Sequence, residues 1–355
     1  MSSGTPAEQI GAAPCPCCAL CGSAGEPVHL ALQDRLFGAS GAWNLKRCTN
    51  HDCRLMWLDP MPLATEIGKA YRSYYTHDDT PRPVAAEAEN VGRLRRAYRL
   101  VKEGYLANRY GYGNGGGGAP RTLGILLYLL PWRRVQVDLE VRSLGAVPGG
   151  RLLDLGCGSG LWLAGMRRLG WQVEGIDFDP AAATAAATRG LHVRCGSLEQ
   201  QRFADATFNA ITMSHVVEHL PNPVKTLTEC ARILKPGGRL ILWTPNTASL
   251  GHHLLKQYWR GLEPPRHLHL FSPASVRALL EKAGFPRISV RSRNSRFIWE
   301  QSYRLWRNRS GVQQCGAAQS ARSPAPPVLA LLESVCLPVF RNAGEWLDVH
   351  ATRET

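Results

Sequence analysis

A run of glycines between a predicted strand and a predicted helix constrains the fold of this chain more than any other feature. Residues 151–155 form an apolar strand, and Gly156, Gly158 and Gly160 follow it before the helix begins. Glycine at such a junction lets the backbone approach a ligand closely. The free N–H groups at the helix start favour an anionic group. The sequence therefore predicts a ligand-binding loop at the carboxyl end of a buried strand.

The spacing of these glycines and an acidic residue further along the chain indicate which class of ligand the loop binds. The dinucleotide fingerprint G-x-G-x-x-G is not matched, because leucine stands at 161 and 163, where its last glycine would be. Asp177 ends the next predicted strand, 17 residues after Gly160. An acidic side chain at that place can bind the two hydroxyls of a ribose. These residues predict a ligand that carries a ribose.

Strands and helices alternate from residue 151 onward. The predicted strands are 151–155, 172–176, 191–195, 208–213 and 239–243, and the predicted helices are 161–169, 180–188, 223–234 and 273–283. Such alternation is typical of a parallel sheet with crossover helices. The fold class predicted from the sequence is therefore α/β.

Four segments of this region together resemble the class I S-adenosylmethionine-dependent methyltransferases. They are LDLGCGSG at 153–160, VEGID at 173–177, SHVVEHL at 214–220 and LKPGGRL at 234–240. The resemblance covers residues 151–293. It implies a Rossmann-like, seven-stranded, mostly parallel sheet whose last strand is antiparallel. Residues 287–291 and 344–352 would form the final hairpin, with inserted helices over 297–307 and 328–340.

The resemblance also implies S-adenosylmethionine as cofactor, with the glycine loop holding its methionine part and Asp177 its ribose. The family often carries Asp near the adenine after the third strand, where this chain has Ser197 and Leu198. The expected cofactor-binding residues are Asp154, Gly156, Gly158, Gly160, Asp177, Phe178, Ser197, Leu198 and Ser214.

His215, Glu218 and His219 follow the fourth predicted strand at spacing i, i+3 and i+4, which on a helix gives one shared face. Methyl transfer requires an aligned nucleophile that loses its proton, and histidine suits that task near neutral pH. We predict three catalytic residues, with His219 as the base and Glu218 as its partner or a cofactor contact. Two alternatives remain open. The segment resembles the quinone-ring O-methyltransferases, which hold a divalent metal here, and the residues could also only stabilise the helix start.

The segment PPRHLHLF at 264–271 follows the fifth predicted strand, where the family closes its substrate pocket. Arg266, His267 and His269 are therefore candidates to bind an anionic or hydroxyl-rich acceptor. The alternative is an ordinary solvated loop.

Six of the eleven cysteines precede residue 54. Cys18 and Cys21 form a C-x₂-C pair, and Cys48 and Cys53 form a C-x₄-C pair. Four thiolates at this spacing can enclose one tetrahedral, structural Zn²⁺, although Cys15 and Cys17 leave the choice of ligands open and free cysteines are the alternative. The segment resembles the zinc-binding front domain of some sugar and natural-product methyltransferases.

These features predict four regions. They are a disordered segment over 1–14, a zinc-ribbon-like segment over 15–60, a helical linker region with a glycine-rich loop over 61–145, and a methyltransferase domain over 146–355 with a helical insertion near 296–343. No signal peptide and no apolar run of membrane-spanning length is evident, so we expect a cytoplasmic protein.

The balance of 42 basic against 28 acidic residues gives a net charge of +14. This charge suits nucleic acid, an anionic membrane or an acidic substrate, or reflects only the arginine codons of a GC-rich genome. The predicted function is methyl transfer to a hydroxyl, or to carbon, of a small molecule, sugar or glycan. The alternative is an RNA methyltransferase with a zinc-knuckle front domain. The amphipathic segments 93–102 and 296–309 allow a peripheral membrane contact, or are ordinary packing helices.

Overall fold

A computed structural model describes residues 9–72, 92–113, 120–308 and 342–354. Its strands are β1 (Ala12–Ala13), β2 (Gly25–Leu32), β3 (Trp43–Cys48), β4 (Met56–Leu58), β5 (Met61–Pro62), β6 (Arg151–Leu155), β7 (Gln172–Asp177), β8 (Val193–Cys195), β9 (Phe208–Ser214), β10 (Leu234–Pro245), β11 (His269–Leu270), β12 (Arg287–Arg293) and β13 (Trp346–Thr352). Its α-helices are α1 (Arg93–Tyr110), α2 (Pro131–Glu140), α3 (Leu161–Arg168), α4 (Pro180–Ala187), α5 (Pro223–Ile233), α6 (Leu250–Leu255), α7 (Pro273–Lys282) and α8 (Arg296–Arg307).

A seven-stranded sheet has the order β12-β13-β10-β9-β6-β7-β8. β7 pairs in parallel with both β6 and β8, whereas β13 pairs antiparallel with both β10 and β12. The predicted Rossmann-like, mostly parallel α/β sheet with an antiparallel last strand is therefore confirmed. The predicted final hairpin and the helix over 297–307 correspond to β12, β13 and α8, and the predicted helix over 328–340 lies outside the described residues.

The contacts divide the chain into two compact units. The first unit comprises residues 1–77, 198–206 and 211–355, and the second comprises residues 78–197 and 207–210. Each unit is described by itself below.

The first unit carries the amino-terminal segment. Its four-stranded antiparallel sheet has the order β11-β4-β3-β2, and β1 pairs with β5. Trp43, Leu45, Met56 and Leu58 from this sheet pack with Trp259 in a buried cluster. This burial of large apolar side chains holds the cysteine-rich segment against the loop that follows α6.

The expectation of disorder over residues 1–14 is wrong for the part that the structure describes. Ala12 pairs with Pro62, Ala13 pairs with Met61, and Ile10 is buried. The cause is a tertiary pairing with a strand about fifty residues away. Local composition alone gave no sign of it. Residues 1–8 lie outside the described residues.

The second unit contains α1 to α4 and β6 to β8. Within the predicted helical linker region, a 3-10 helix spans Arg121–Leu129 and packs closely on α1 at two glycines. A Cβ atom on Gly124 would lie 2.4 Å from the backbone nitrogen of Tyr105, so no other residue fits there without a shift. Tyr105 and Tyr110 both donate to Asp138 at 2.7 Å and tie α1 to α2.

The two amphipathic segments differ in burial. In α8 the side chains of Ile298, Trp299 and Leu305 are buried, whereas residues 93–100 of α1 are exposed, and the buried side chains of that helix, Tyr105 and Leu106, lie beyond the predicted segment. No helix among the described residues is both long enough and apolar enough to span a bilayer.

Candidate functional site

The glycine loop lies in the second unit, between β6 and α3. Gly156, Gly158 and Gly160 all adopt positive φ, at 68°, 53° and 73°, which side chains other than glycine rarely accept. A Cβ on Gly160 would also meet a Leu191 methyl carbon at 2.5 Å. The alternating glycines are thus required by the turn itself, and they keep the backbone N–H groups at the start of α3 open to a ligand.

Asp177 fastens this loop to the end of β7. One carboxylate oxygen accepts the N–H of Gly158 at 2.8 Å, and the other accepts the N–H of Asp179 at 3.0 Å. Burial raises the pKa of Asp177, and these two N–H donors oppose that rise. A carboxylate that is oriented by two backbone donors is preorganised to accept hydrogen bonds from a ligand.

The other residues predicted for the cofactor differ in exposure. Asp154 is buried and paired with Arg142 at 2.5 Å, so its charge is already compensated within the unit. Phe178 is 65% exposed, which leaves its ring free to stack on a planar group. Ser197 is half-buried in the second unit. In the first unit, Leu198 is buried and Ser214 is half-buried.

The His-Glu-His segment lies in the first unit and is not the predicted helix. β9 ends at Ser214, His215 has a positive φ of 56°, and a 3-10 turn spans Val217–His219. Glu218 contacts His215, which precedes the turn, with 3.2 Å between Oε1 and Nδ1, and among the described residues no hydrogen bond joins Glu218 to His219.

Glu218 is a fully buried anion. Its second oxygen accepts the hydroxyl of Thr244 at 3.0 Å. Burial by itself would raise the pKa of Glu218, but the hydrogen bond to His215 and the neighbouring imidazoles lower it to about 2. The carboxylate therefore supplies a buried negative charge at neutral pH beside the neighbouring imidazoles.

The tautomer of His219 follows from its surroundings. Its Nδ1 lies 3.0 Å from the carbonyl oxygen of Arg266 and 2.9 Å from the hydroxyl of Tyr71. A carbonyl only accepts, so the proton must be on Nδ1, and the lone pair of the neutral ring is on Nε2. Tyr71 and Thr244 have no motif that marks them in the sequence, and both were missed as site residues.

His267 has the same arrangement. Its Nδ1 donates to the carbonyl of Gly261 at 2.7 Å, which leaves a lone pair on Nε2. Its ring meets the ring of His219 edge-on with 4.8 Å between centroids. Burial lowers the pKa of His267 to about 4, although Glu263 opposes this, so the ring is neutral at pH 7.

Glu218, His219 and His267 each offer one ligand atom, and these atoms all lie within 4.8 Å of one another. Two imidazoles whose Nδ1–H groups are fixed by carbonyls, together with a carboxylate, are a donor set that fits a divalent transition metal. His215 does not belong to this set, and His267 takes the place that the sequence gave to it. Because 48 residues separate His219 and His267, no sequence motif indicates that the two side chains lie close together.

The loop residues expected to bind an acceptor are buried. Arg266 pairs with Asp34 at 2.8 Å and Glu263 at 3.0 Å and donates to the carbonyl of Ala70 at 2.8 Å. Two carboxylates thus compensate its charge, and Arg266 ties the loop to the amino-terminal segment instead of facing a solvated acceptor. His269 is also buried, with Nδ1 at 3.2 Å from the carbonyl of Leu220.

The four predicted zinc ligands come together in the first unit. The Sγ atoms of Cys18 and Cys53 are 3.6 Å apart, those of Cys21 and Cys48 are 3.3 Å apart, and all four lie within 4.8 Å of one another. Sulfurs at about 2.3 Å from a tetrahedral Zn²⁺ would be about 3.8 Å apart. The donor set therefore fits structural zinc. Cys15 and Cys17 are not in this group, nor is His51, which contacts Arg54.

Comparison with known proteins identifies the family of the chain. A family model described as a methyltransferase domain matches residues 132–290. A ubiquinone biosynthesis O-methyltransferase of Alkalilimnicola ehrlichii is 37% identical over 119 residues, 32% of this chain and 48% of that protein. One of Xanthomonas axonopodis pv. citri is 34% identical over 188 residues, 49% of this chain and 75% of that protein. The chain thus spans about half the length of the first relative and three quarters of the second.

Among solved structures, a SAM-dependent methyltransferase from Archaeoglobus fulgidus aligns with a TM-score of 0.42 at 17% identity. The alignment covers 64% of this chain and 94% of that one.

Proposed function

Because the chain belongs to the class I S-adenosylmethionine-dependent methyltransferase family, we propose that it methylates a hydroxyl oxygen of a small molecule, sugar or glycan. The methyltransferase activity and the cofactor are those of the family. What we propose is the class of acceptor and the residues that take part in its methylation. Similarity to relatives that are named O-methyltransferases supports oxygen as the attacking atom, with carbon as the alternative.

The cofactor is assigned to the glycine loop and Asp177. The open N–H groups at the start of α3 suit the carboxylate of its methionine part, and the oriented carboxylate of Asp177 suits its ribose hydroxyls. Within the second unit, Phe178 offers an exposed ring for the adenine, together with Ser197 on the loop after β8. When bound, the sulfonium supplies an electrophilic methyl carbon to an in-line nucleophile.

His219 is assigned as the general base, and the observation that carries this is its tautomer. With Nδ1–H held by the carbonyl of Arg266, the lone pair on Nε2 is available to take the proton of an acceptor hydroxyl. The buried anion of Glu218 then stabilises the imidazolium that forms, through space and not through a direct hydrogen bond. His215 orients Glu218, so we assign it a positioning role.

A metal-assisted version of the same reaction is the second candidate. The donor set of Glu218, His219 and His267 supports it, because both imidazoles present an unprotonated Nε2. A divalent ion held there would lower the pKa of an acceptor hydroxyl, and His219 would be a ligand instead of a base. Loss of activity on chelation with recovery on adding Mn²⁺ or Zn²⁺ would favour this version.

We also propose that Cys18, Cys21, Cys48 and Cys53 hold one structural Zn²⁺. All four positions of a tetrahedron are filled by thiolates, so no open position is left for chemistry at this ion. The ion would stabilise the fold of the cysteine-rich segment.

The acceptor class is tested with methyl-labelled S-adenosylmethionine against fractionated lysate. Label in the metabolite, lipid or polysaccharide fraction, released as a methyl ether, would support the proposal. Label in RNA would instead favour an RNA methyltransferase, the function that the net charge of +14 suits. Label on carbon in a small molecule would retain the acceptor class and change the attacking atom.

A further inference from the structure

A cavity of about 460 Å³ opens in the first unit, lined by residues that the methyl-transfer site does not use. It is bordered by Val28 and His29 on β2, by Arg54 after β3, and by the segment 247–256 after β10. Its volume falls in the range of about 300 to 1,000 Å³ that is usual for small-ligand sites. The cavity is therefore large enough for a small molecule or one end of it.

The charged side chains that line this cavity are all positive. Arg47, Arg54 and Lys256 line it, and none of the residues that line it is acidic. Arg47 is paired with Glu26 at 2.6 Å, which compensates its charge. Arg54 lies 3.2 Å from Nδ1 of His51, and the charge of Arg54 also acts on the carboxylate of Glu26. Three cations beside the carboxylate of Glu26 thus leave a net charge of about +2 at the wall.

Lys256 has an unusual backbone conformation. Its φ is 48° and its ψ is −120°, at the end of α6, where a residue with a side chain is strained. Such strain persists only where the surrounding structure fixes it, and it occurs preferentially at binding sites. The strained residue here is one of the cations that line the cavity.

Three histidines supply polar groups beside these charges. His252 donates from Nδ1 to the carbonyl of Thr247 at 2.7 Å, so its Nε2 accepts from the Nε2–H of His29 at 3.0 Å. His253 donates from Nδ1 to the carbonyl of Ser249 at 2.8 Å. Burial and the nearby Arg47 and Lys256 lower the pKa of His29, and burial lowers that of His252 to about 4. The imidazoles of His29 and His252 are therefore neutral at pH 7 and add no charge to the wall.

We propose that this cavity binds a phosphate group of a small ligand, held by Arg54 and Lys256. A net charge of about +2 matches the charge of a phosphate dianion, whose oxygens can accept from both Arg54 and Lys256. A cavity of this volume accommodates a terminal phosphate or diphosphate, whereas a nucleic acid strand needs a groove that follows its backbone along the surface. The source is a soluble phosphorylated metabolite or the headgroup of an anionic lipid.

Titration calorimetry of the full chain with pyrophosphate, in low salt, tests the proposal. Arg54→Gln and Lys256→Gln each remove one charge-assisted contact and should weaken binding at least about tenfold. Arg287→Gln removes an exposed arginine of β12 outside the cavity and should leave binding unchanged. Thermal unfolding of all three variants shows whether each retains the fold.

The two phosphate sources are separated by a second arm. Vesicles that contain phosphatidic acid should bind in a manner that pyrophosphate displaces if the ligand is a lipid, and should not bind if it is soluble. Either result, together with the loss in the two variants, supports the phosphate site. Three results would overturn it: no binding of pyrophosphate, equal binding by folded variants and parent, or an oligonucleotide that binds without being displaced by pyrophosphate.

Discussion

His219 illustrates how a single backbone contact sets the chemistry of a side chain. The carbonyl of Arg266 fixes the proton on Nδ1, and that carbonyl belongs to a loop which Arg266 itself anchors through Asp34 and Glu263. The orientation of His219 therefore depends on the buried charge network of the loop.

Replacing His219 is the first test at this scale. His219→Gln and His219→Ala should lower kcat by about 10² to 10⁴, because the acceptor hydroxyl loses its proton acceptor. The dissociation constant of S-adenosylmethionine, measured by equilibrium dialysis, should stay unchanged. The exposed His192 provides the control, and His192→Ala should retain full activity. An unchanged kcat in the His219 variants would exclude it as the base.

Asp177 gives the second residue-scale prediction. Asp177→Asn keeps the size of the side chain and removes the charge that a ribose would meet, so the Kd of S-adenosylmethionine should rise by about 10- to 100-fold. Asp179→Ser is the matched control, because it keeps a side-chain cap on α4 and the backbone N–H that Asp177 accepts. Calorimetry should show little change for this control. Equal weakening in both variants would contradict a specific role for Asp177.

At the residue scale, the sequence predicts features that depend on neighbouring residues and misses contacts between residues that are far apart in the sequence. The glycine loop and Asp177 are both readable, because their roles depend on a strand end and a turn. Helical spacing predicted one face shared by His215, Glu218 and His219, with Glu218 as the partner of His219, whereas the hydrogen bond to Glu218 comes from His215. The hydroxyl of Tyr71 contacts His219, although 148 residues separate them in the sequence, and no motif in a single sequence predicts that contact.

The cysteine-rich segment carries the first prediction at the scale of elements. Purified protein should contain about one equivalent of Zn²⁺, since all four ligands are deprotonated thiolates once metal is bound. Cys48→Ser should lower the zinc content and the melting temperature together, whereas Cys17→Ser, outside the cluster, should change neither. Less than about half an equivalent in the parent protein, with these thiols freely titratable, would contradict the site.

Glu345 provides the second prediction at the scale of elements. It immediately precedes β13 and contacts α6. Its carboxyl accepts the N–H of Gly251 at 2.9 Å and the indole N–H of Trp259 at 2.6 Å, and no Lys, Arg or His of the described residues pairs with it. Burial therefore raises the pKa of Glu345 to about 7. The folded state binds the proton more tightly than the unfolded state does, so the free energy of unfolding falls as pH rises from about 4.5 to 7.

Glu345→Gln should abolish that contribution. Denaturant titrations at pH 5 and pH 8 should show the parent losing up to about 3 kcal/mol relative to the variant over this interval. Glu281 is exposed on α7, and Glu281→Gln should keep the pH dependence of the parent. The same pH dependence in parent and Glu345→Gln would show that the carboxyl does not titrate in this range.

Element types were predictable wherever a periodic pattern coincided with a terminator. Pro180, Pro223 and Pro273 each stand at the first position of the helix that the sequence predicts there. β10, in contrast, begins at Leu234 instead of 239, because the Lys-Pro-Gly-Gly segment that reads as a turn continues the strand. The pairing of β1 with β5 was also missed, since two-residue strands have no detectable period.

At the scale of the whole molecule, the order of the elements predicts the fold, whereas the net charge does not. The seven-stranded sheet follows from the order of its elements and from chiral crossover rules, and its antiparallel edge follows from the family resemblance. The net charge of +14 has no such consequence for the fold. Its meaning depends on where the charge is left uncompensated, and Arg266, Arg142 and Arg47 are all paired with carboxylates. A large positive charge therefore does not by itself indicate a polyanionic acceptor.

The dependence of catalysis on salt separates the two acceptor classes for the whole molecule. An RNA acceptor that contacts several phosphates would give a slope of about −0.7 per phosphate in a plot of log kcat/KM against log salt concentration. A small acceptor releases few counterions, so we expect a slope shallower than about −1 between 50 and 300 mM salt. The comparison uses the acceptor found by labelling, with a neutral and a phosphorylated analogue of it as internal standards. A slope of −3 or steeper would mean that the positive surface takes part in acceptor recognition, and the small-molecule assignment would then be wrong.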